Sequence, residues 1–272
     1  MKSVLKFFSG QKALPAGPAG RVLYAIGDIH GCLNELEDVL QVIDRDINLH
    51  GVEDVTIVFL GDLIDRGPDS AGVVRRIYQL SEHQREGVRI VLLAGNHEEA
   101  LIRAADGDSE TAANWIQFGG AEALQSYGST QKDFDHVDGE IIVDMVRGLV
   151  PGRHIDFLRN AKDMALFGDF VLVHAGVDPE IPLTDQTRRS LLWIREPFLS
   201  HPRPVAPPYC IVHGHTIVPE VEHRGVRIAI DTGVYESGNL SCLRVEGTDL
   251  RRYSTATDMV AFEPLLRLQA AS

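Results

Sequence analysis

Apolar residues in the first hundred positions concentrate in three short runs, separated by stretches with helical spacing. Val22 to Ile26 is the first run; Leu33, Leu36, Val39, Leu40 and Ile43 then recur at three- and four-residue intervals. That change of period predicts a strand followed by an amphipathic helix. Val55 to Leu60 reads as a second strand, of the kind buried on both faces. Pro68-Asp69-Ser70 carries the start signal of a helix running from about Asp69 to Glu86. Val88 to Leu93 predicts a third strand. His97 opens the next helix, with Glu98 and Glu99 in its first turn, where the helix dipole favours acids. The order βαβαβα predicts an α/β fold.

From about residue 105 to 162 the patterning is mostly helical, with Trp115, Gly119-Gly120 and Tyr127 marking breaks and no clear strand. This predicts a helical insertion able to wall a cleft and help choose substrates. Phe170 to Val173, Cys210 to Val212, Val226 to Ile230 and Leu240 to Val245 then read as short strands, and Val205-Ala206-Pro207-Pro208 as a loop. Residues 1–20, ending in a Pro/Gly-rich stretch, are expected to form a flexible leader. Residues 21–255 are expected to form one domain, and 256–272 a tail.

Composition narrows the class. The 272 residues, 44% hydrophobic and 24% charged, fit a soluble globular chain. A net charge of −13 argues against broad nucleic-acid binding, which rests on Lys and Arg neutralising phosphates. The three cysteines (Cys32, Cys210 and Cys242) fit reduced, buried thiols better than a disulfide framework. Lys2 and Lys6 precede only Phe7-Phe8, too short an apolar core for a signal peptide, and no run approaches the roughly 18 residues of a spanning helix. A cytoplasmic protein without membrane partners is expected.

The chemistry sits where the strands end. Gly27-Asp28-Ile29-His30-Gly31, Gly61-Asp62-Leu63-Ile64-Asp65-Arg66-Gly67 and Gly95-Asn96-His97-Glu98 each follow one of the three apolar runs. Open α/β sheets place their sites at such ends. His174-Ala175-Gly176, His213-Gly214-His215-Thr216 and Asp231-Thr232-Gly233 follow in the second half. Alternate residues leaving a strand point the same way, so Asp28 and His30 can share one ion. The Asp62 carboxylate can bridge two cations, and Asn96 adds a neutral oxygen. Imidazole and hard oxygen ligands, with no thiolate among them, suit a divalent metal pair that moves phosphoryl groups.

The order GDIHG, GDLIDRG, GNHE, HAG and GHT, spread over residues of about 22 to 245, resembles the calcineurin-like metallophosphoesterases. The likeness is strongest to bacterial phosphatases related to the PPP-type serine/threonine protein phosphatases. The resemblance implies a four-layer αββα sandwich with two divalent metal ions at the strand carboxyl ends. Asp28, His30 and bridging Asp62 would hold the first ion; Asp62, Asn96, His174 and His215 would hold the second. Position 217 is Ile, where related phosphoesterases have a further histidine, so the first ion would have three protein ligands. Manganese is the expected metal, with Fe, Zn, Co and Ni compatible. A metal-bridging hydroxide would attack phosphorus in line, with His97 as general acid and Asp65 orienting it. Arg66 and Arg195, with Asn96, would bind the substrate phosphate, since guanidinium forks match phosphate oxygens. His213 is expected to be structural, and Asp231 to support a ligand histidine.

The resemblance implies a phosphorylated protein or peptide as substrate, with no regulatory subunit evident. Two alternatives remain: a symmetrical dinucleoside polyphosphate (diadenosine tetraphosphate) hydrolase with the same metal site, and a non-catalytic metal-binding regulatory protein. The dinucleotide branch commonly has Ala at the position of Asp65, Asp after Gly-Asn-His and Trp after the last ligand histidine. Here these positions hold Asp65, Glu98 and Thr216.

Overall fold

The computed structural model describes residues 14–130, 134, 138–200, 209–256, 260–265 and 267–268. Two six-stranded sheets pack face to face. The first has the order β11-β10-β9-β1-β2-β3, with β1 (Val22–Ile26), β2 (Val55–Phe59) and β3 (Val88–Leu92) parallel. Antiparallel β9 (Ser241–Glu246) joins β1, followed by β10 (Asp249–Ser254) and β11 (Glu263–Pro264). The second sheet has the order β12-β7-β8-β6-β5-β4. Its centre is parallel: β5 (Phe170–Val173), β6 (Cys210–His213) and β8 (Arg227–Ala229). Antiparallel β4 (Met164–Phe167) and β7 (Glu222–Arg224) flank these strands, and β12 (Arg267–Leu268) pairs with β7.

The continuous apolar strands divide their residues between two cores, as a period of two requires. Val22, Tyr24 and Ile26 of β1, with Val55, Ile57 and Phe59 of β2, face the helices. These are α1 (Leu33–His50), α2 (Ser70–Glu82) and α3 (Asn96–Asp106). Leu23, Ala25 and Val58 face the second sheet, where they meet Phe170, Leu172, Cys210, Val212 and Ile228. On the outer face of the second sheet, Val171, Val173 and Ile211 are covered by Val177, Phe198 and Leu191 of the short α8 (Arg188–Trp193). The layers are helix, sheet, sheet, helix, the last one thin. Among the described residues, no helix is long and apolar enough to cross a membrane.

Between α3 and β4 the chain is helical, as its pattern predicts. It forms α4 (Ser109–Trp115), a π turn (Ile116–Gly120), α5 (Ala121–Ser126), α6 (Gly139–Leu149) and α7 (Gly152–Arg159). Several expectations need correction. The second helix stops at Glu82 and not near 86, because a turn carries the chain into β3, with Val88 N donating to Arg85 O. The single strand expected over Val226 to Ile230 is the second arm of the hairpin β7–β8. Strands β4 and β10 were not anticipated; β10 carries three charged residues at partly exposed positions and lacks a continuous apolar run.

The stretch expected to be a free leader is pinned over its described part: Gly17 N donates to Gly247 O (2.8 Å), and Asp169 N to Ala16 O (2.9 Å). The C-terminal segment likewise joins the fold, with Phe262 buried against Tyr24 and β11 paired to β10. The loop expected over Val205-Ala206-Pro207-Pro208 lies outside the described residues. A short helix, α9 (Val234–Ser237), follows Gly233.

Candidate metal centre

The ends of β1, β2 and β3, together with the loops after β5 and β6, converge on a cavity of about 650 Å³. Its lining includes Asp28, His30, Asp62, Arg66, Asn96, His97, Arg195, His215 and Asp231. The backbone there is unusual. Among the described residues, the non-glycine positions with positive φ are His30 (44°), Asp62 (48°), Asp65 (75°), Arg66 (66°) and His215 (61°). Each was singled out from the sequence, and left-handed non-glycine backbone persists only where the surroundings over-determine it.

Two hydrogen bonds aim the imidazoles. His30 Nδ1 donates to Ile64 O (2.8 Å) and His174 Nδ1 to Leu60 O (2.9 Å), so the Nε2 atoms point inward. His174 Nε2 lies 3.3 Å from Asp62 Oδ2 and 2.9 Å from Asn96 Oδ1, and His30 Nε2 is 3.7 Å from Asp62 Oδ2. His97 Nδ1 meets Asp65 Oδ2 at 2.5 Å, which aims its Nε2 at Asp62 Oδ2, 3.9 Å away.

Two sets of side chains have ligand atoms close enough for a cation: His30, Asp62 and His97, and Asp62, His174 and His215. Asp62 belongs to both, so its carboxylate can bridge. His97 falls in the first set beside the expected ligands His30 and Asp62, whereas Asp28 does not. Asp28 turns Oδ2 to the backbone N of His215 (2.9 Å), and its Oδ1 is buried without a hydrogen-bond partner. His215 Nε2 is orphaned in the same way. Buried polar atoms rarely lack partners, and an acceptor set of this composition fits divalent cations. A side chain at Gly214 would collide with Asp28 Oδ1, which accounts for the glycine between the two histidines.

The electrostatics agree with a cation site. Burial pushes the Asp28 carboxyl well above its usual range, with Asp231 adding to the effect. Burial alone would depress His174, but Asp62, Asp28 and Glu98 around it carry it up to about 10. These carboxylates favour a protonated imidazole in the metal-free chain, so metal binding there would be accompanied by proton release. Burial lowers His30 and His215 to about 3, leaving both neutral and available as ligands at neutral pH. Burial also opposes charge on His97, yet Asp62 and Asp65 together hold it above the ordinary histidine value.

The remaining predicted residues divide. Arg66 reaches the cavity floor, with its guanidinium 3.4 Å from His30 Nε2 and 3.3 Å from His97 Nε2. Arg195 lines the wall and donates to His215 O (3.2 Å), while its neighbour Glu196 accepts from Ser200 Oγ. His213 faces away, against Phe198, with its ring nitrogens turned to Gly214 O and Arg227. Asp231 accepts from Gly233 N, and burial lifts its carboxyl to about 6.

The roles of three side chains were not anticipated from the sequence. Glu98 is fully buried and accepts from the backbone N of Asp62 (2.8 Å), Leu63 (2.8 Å) and Gly95 (3.0 Å), tying two of the polar loops together. Tyr235, on α9, lies under the Arg66 guanidinium (4.7 Å) and edge-on to His30. Trp115 donates its indole N–H to Asp65 Oδ2 at 2.6 Å. The Gly-Asn-His-Glu sequence was the available signal for Glu98; Trp115 and Tyr235 offered only their residue type.

A family model of the calcineurin-like phosphoesterases matches residues 22–243. The chain belongs to the calcineurin-like phosphoesterases. It is a metallophosphoesterase with His and Asp groups able to hold two metals. A relative from Bacillus velezensis, an asymmetrical bis(5′-nucleosyl)-tetraphosphatase PrpE, is 29% identical over 238 residues, covering 80% of this chain and 87% of that protein. The symmetrical bis(5′-nucleosyl)-tetraphosphatase of Nitrosospira multiformis is 27% identical over 157 residues, 58% of this chain and 44% of that one. The chain thus spans less than half the length of the symmetrical enzymes it matches. Two solved phosphoesterase structures share the fold. One, a candidate diadenosine tetraphosphatase, has a TM-score of 0.59 at 19% identity, covering 86% of this chain and 93% of that one. The other, a protein serine/threonine phosphatase of Saccharomyces cerevisiae, has a TM-score of 0.51 at 15% identity, covering 88% and 81%.

Proposed function

We infer that this metallophosphoesterase hydrolyses phosphate monoesters of poorly leaving alcohols, as a serine/threonine protein phosphatase does. The observation that carries the reading is the buried His97–Asp65 pair at 2.5 Å, beside Asp62, the carboxylate shared by both ligand sets. An alkoxide is a poor leaving group and needs a proton; a positioned imidazole typically contributes 10²–10⁴-fold, an order-of-magnitude figure.

In this reading, His30, Asp62, His174 and His215, with Asp28 and Asn96, hold two divalent cations, and manganese is the metal proposed. When bound, such a pair supplies hydroxide at neutral pH and neutralises phosphate charge. Arg66 and Arg195 grip the phosphoryl oxygens, and the Tyr235 ring, 4.7 Å from the Arg66 guanidinium, supports it. Hydroxide adds to phosphorus, and the bond to the leaving oxygen breaks with its electron pair. His97 Nε2 gives its proton to that oxygen, while Asp65 keeps the ring in line.

A second reading, hydrolysis of dinucleoside polyphosphates, is favoured by the names of the relatives and by the aromatic lining of the cavity. Phe118 and Trp193, 64% and 46% exposed, stand on its lining and offer faces to a planar base. A direct comparison separates the two. Metal-stripped, manganese-reloaded protein would be given a phosphoserine/phosphothreonine peptide and diadenosine tetraphosphate under identical conditions. Phosphate from the peptide, with no nucleotide products, supports the first reading. ADP alone, or AMP with ATP, and an inert peptide would overturn it in favour of the second.

A further inference from the structure

We propose that the Trp115–Gly120 turn of the helical segment is a positioning clamp for the His97–Asp65 pair and for Arg66. Trp115 closes α4, and the π turn that follows breaks helical geometry at Phe118 and Gly119, whose φ is 107°. π turns inside helices recur at functional sites, where they re-aim the chain. Here the break directs two groups at one loop. The Trp115 indole N–H donates to Asp65 Oδ2 (2.6 Å), the same oxygen that holds His97 Nδ1 (2.5 Å). Four residues on, Gly119 O accepts from Arg66 N (3.2 Å).

Asp65 and Arg66 are the consecutive left-handed residues of the site, with φ of 75° and 66°. Such backbone relaxes unless its surroundings hold it. Within the loop, Asp65 N donates to Ser70 Oγ (2.9 Å). From outside, His97 and Tyr235 hold the two side chains, and the helical segment adds the bonds from Trp115 and Gly119. The clamp is itself rigid: Trp115 is 2% exposed, in one core with Leu101, Leu124 and Ile142. Both glycines are required by close approach. A Cβ on Gly119 would stand 2.5 Å from Arg66 N, and one on Gly120 2.5 Å from the Trp115 ring. Asp65 Oδ1 has no partner, so Oδ2 alone orients the carboxylate, and its two donors are His97 and Trp115. Without the indole, the carboxylate is free to turn about the His97 contact. The helical segment thereby holds the proton donor in place, as well as lining the cavity.

The inference rests on the reading of His97 as proton donor. Its test compares Trp115→Phe and Gly119→Ala with the unaltered chain, all manganese-reloaded, on phosphoserine and on p-nitrophenyl phosphate. Trp115→Phe keeps the ring and removes the donor; kcat on phosphoserine should fall roughly tenfold or more, with p-nitrophenyl phosphate slowed less than threefold and KM unchanged on both. Gly119→Ala displaces Arg66 and should raise KM on both, by roughly tenfold. Adding Trp115→Phe to His97→Ala should cost nothing further, because the indole acts through His97. Equal losses on both substrates, or full additivity with His97→Ala, would overturn the clamp. If Trp115→Phe does not fold, an unchanged KM in Gly119→Ala overturns it. A His97→Ala protein that slows both substrates equally would instead sink the proton-donor reading, while the additivity measurement still reports on the clamp.

Discussion

Two regions of this protein bury charge, and they do it in opposite ways. On the helix-covered side of the first sheet, Arg244 is 4% exposed and donates to Asp46 (2.7 Å) and Glu246 (2.8 Å). Tyr24 OH donates to the same Asp46 carboxylate at 2.6 Å. None of these side chains leaves a buried polar atom without a partner. At the strand ends, Asp28 Oδ1, Asp65 Oδ1, His215 Nε2 and Thr216 Oγ1 are all buried and unpartnered. Both clusters are costly to desolvate, but only the first closes on itself. The second is built so that something from outside completes it. An open set of acceptors, held by strained backbone, marks the site more clearly than burial of charge does.

The comparison breaks most visibly at the shared carboxylate. Asp62→Asn should lower bound metal from two ions to one or fewer per chain by elemental analysis. It should also reduce turnover by more than the roughly 10–100-fold loss expected when a ligand's support alone is removed. Full metal content in that variant would place the cation elsewhere.

Asp46→Ala sharpens the other side. It strands Arg244 and the Tyr24 hydroxyl, so urea denaturation should show a loss of about 3 kcal/mol, as breaking buried pairs generally does. The kcat of the folded enzyme should stay unchanged; a parallel fall in kcat would mean that the two clusters communicate.

The smallest effect expected is on the pH dependence of the metal-free protein. Burial lifts Asp231 to about 6 from an ordinary value near 3.8, so between these values the folded state binds more protons than the unfolded one. Its contribution to stability is complete below the lower value and is lost as pH rises through the upper one. Stability should decline over that window, by at most about 1.4 kcal/mol per pH unit for this one group. Asp231→Asn should flatten the slope; an unchanged slope would assign it to other carboxylates.

Legibility followed the kind of force at work. Strands β1 and β2 were readable because both faces are buried, which leaves nearly continuous apolar runs flanked by helical periods; β3, partly exposed at its start, still keeps an apolar run after Arg89. Strand β10 was not, since four of its six positions reach solvent at least in part and three of them carry charge. The metal-facing side chains stood out through glycine-flanked motifs at strand ends. Glu98 was visible but misjudged: its position suits a helix dipole, while its three backbone bonds depend on where the β2 loop arrives.

Local patterning alone determined the α/β class and the strand-end location of the chemistry, and it singled out Asp28, His30, Asp62, Asn96 and His215, which line the cavity. It did so because period, turn chemistry and ligand type are properties of short segments. Which groups meet was decided by the tertiary structure. His174 bonds a carbonyl 114 residues away, Asp28 accepts an amide 187 residues away, and Trp115 reaches Asp65 across 50. Such contacts leave no periodic trace in the sequence, because they form only when two sheets and a helical segment have packed and brought distant loops to one point.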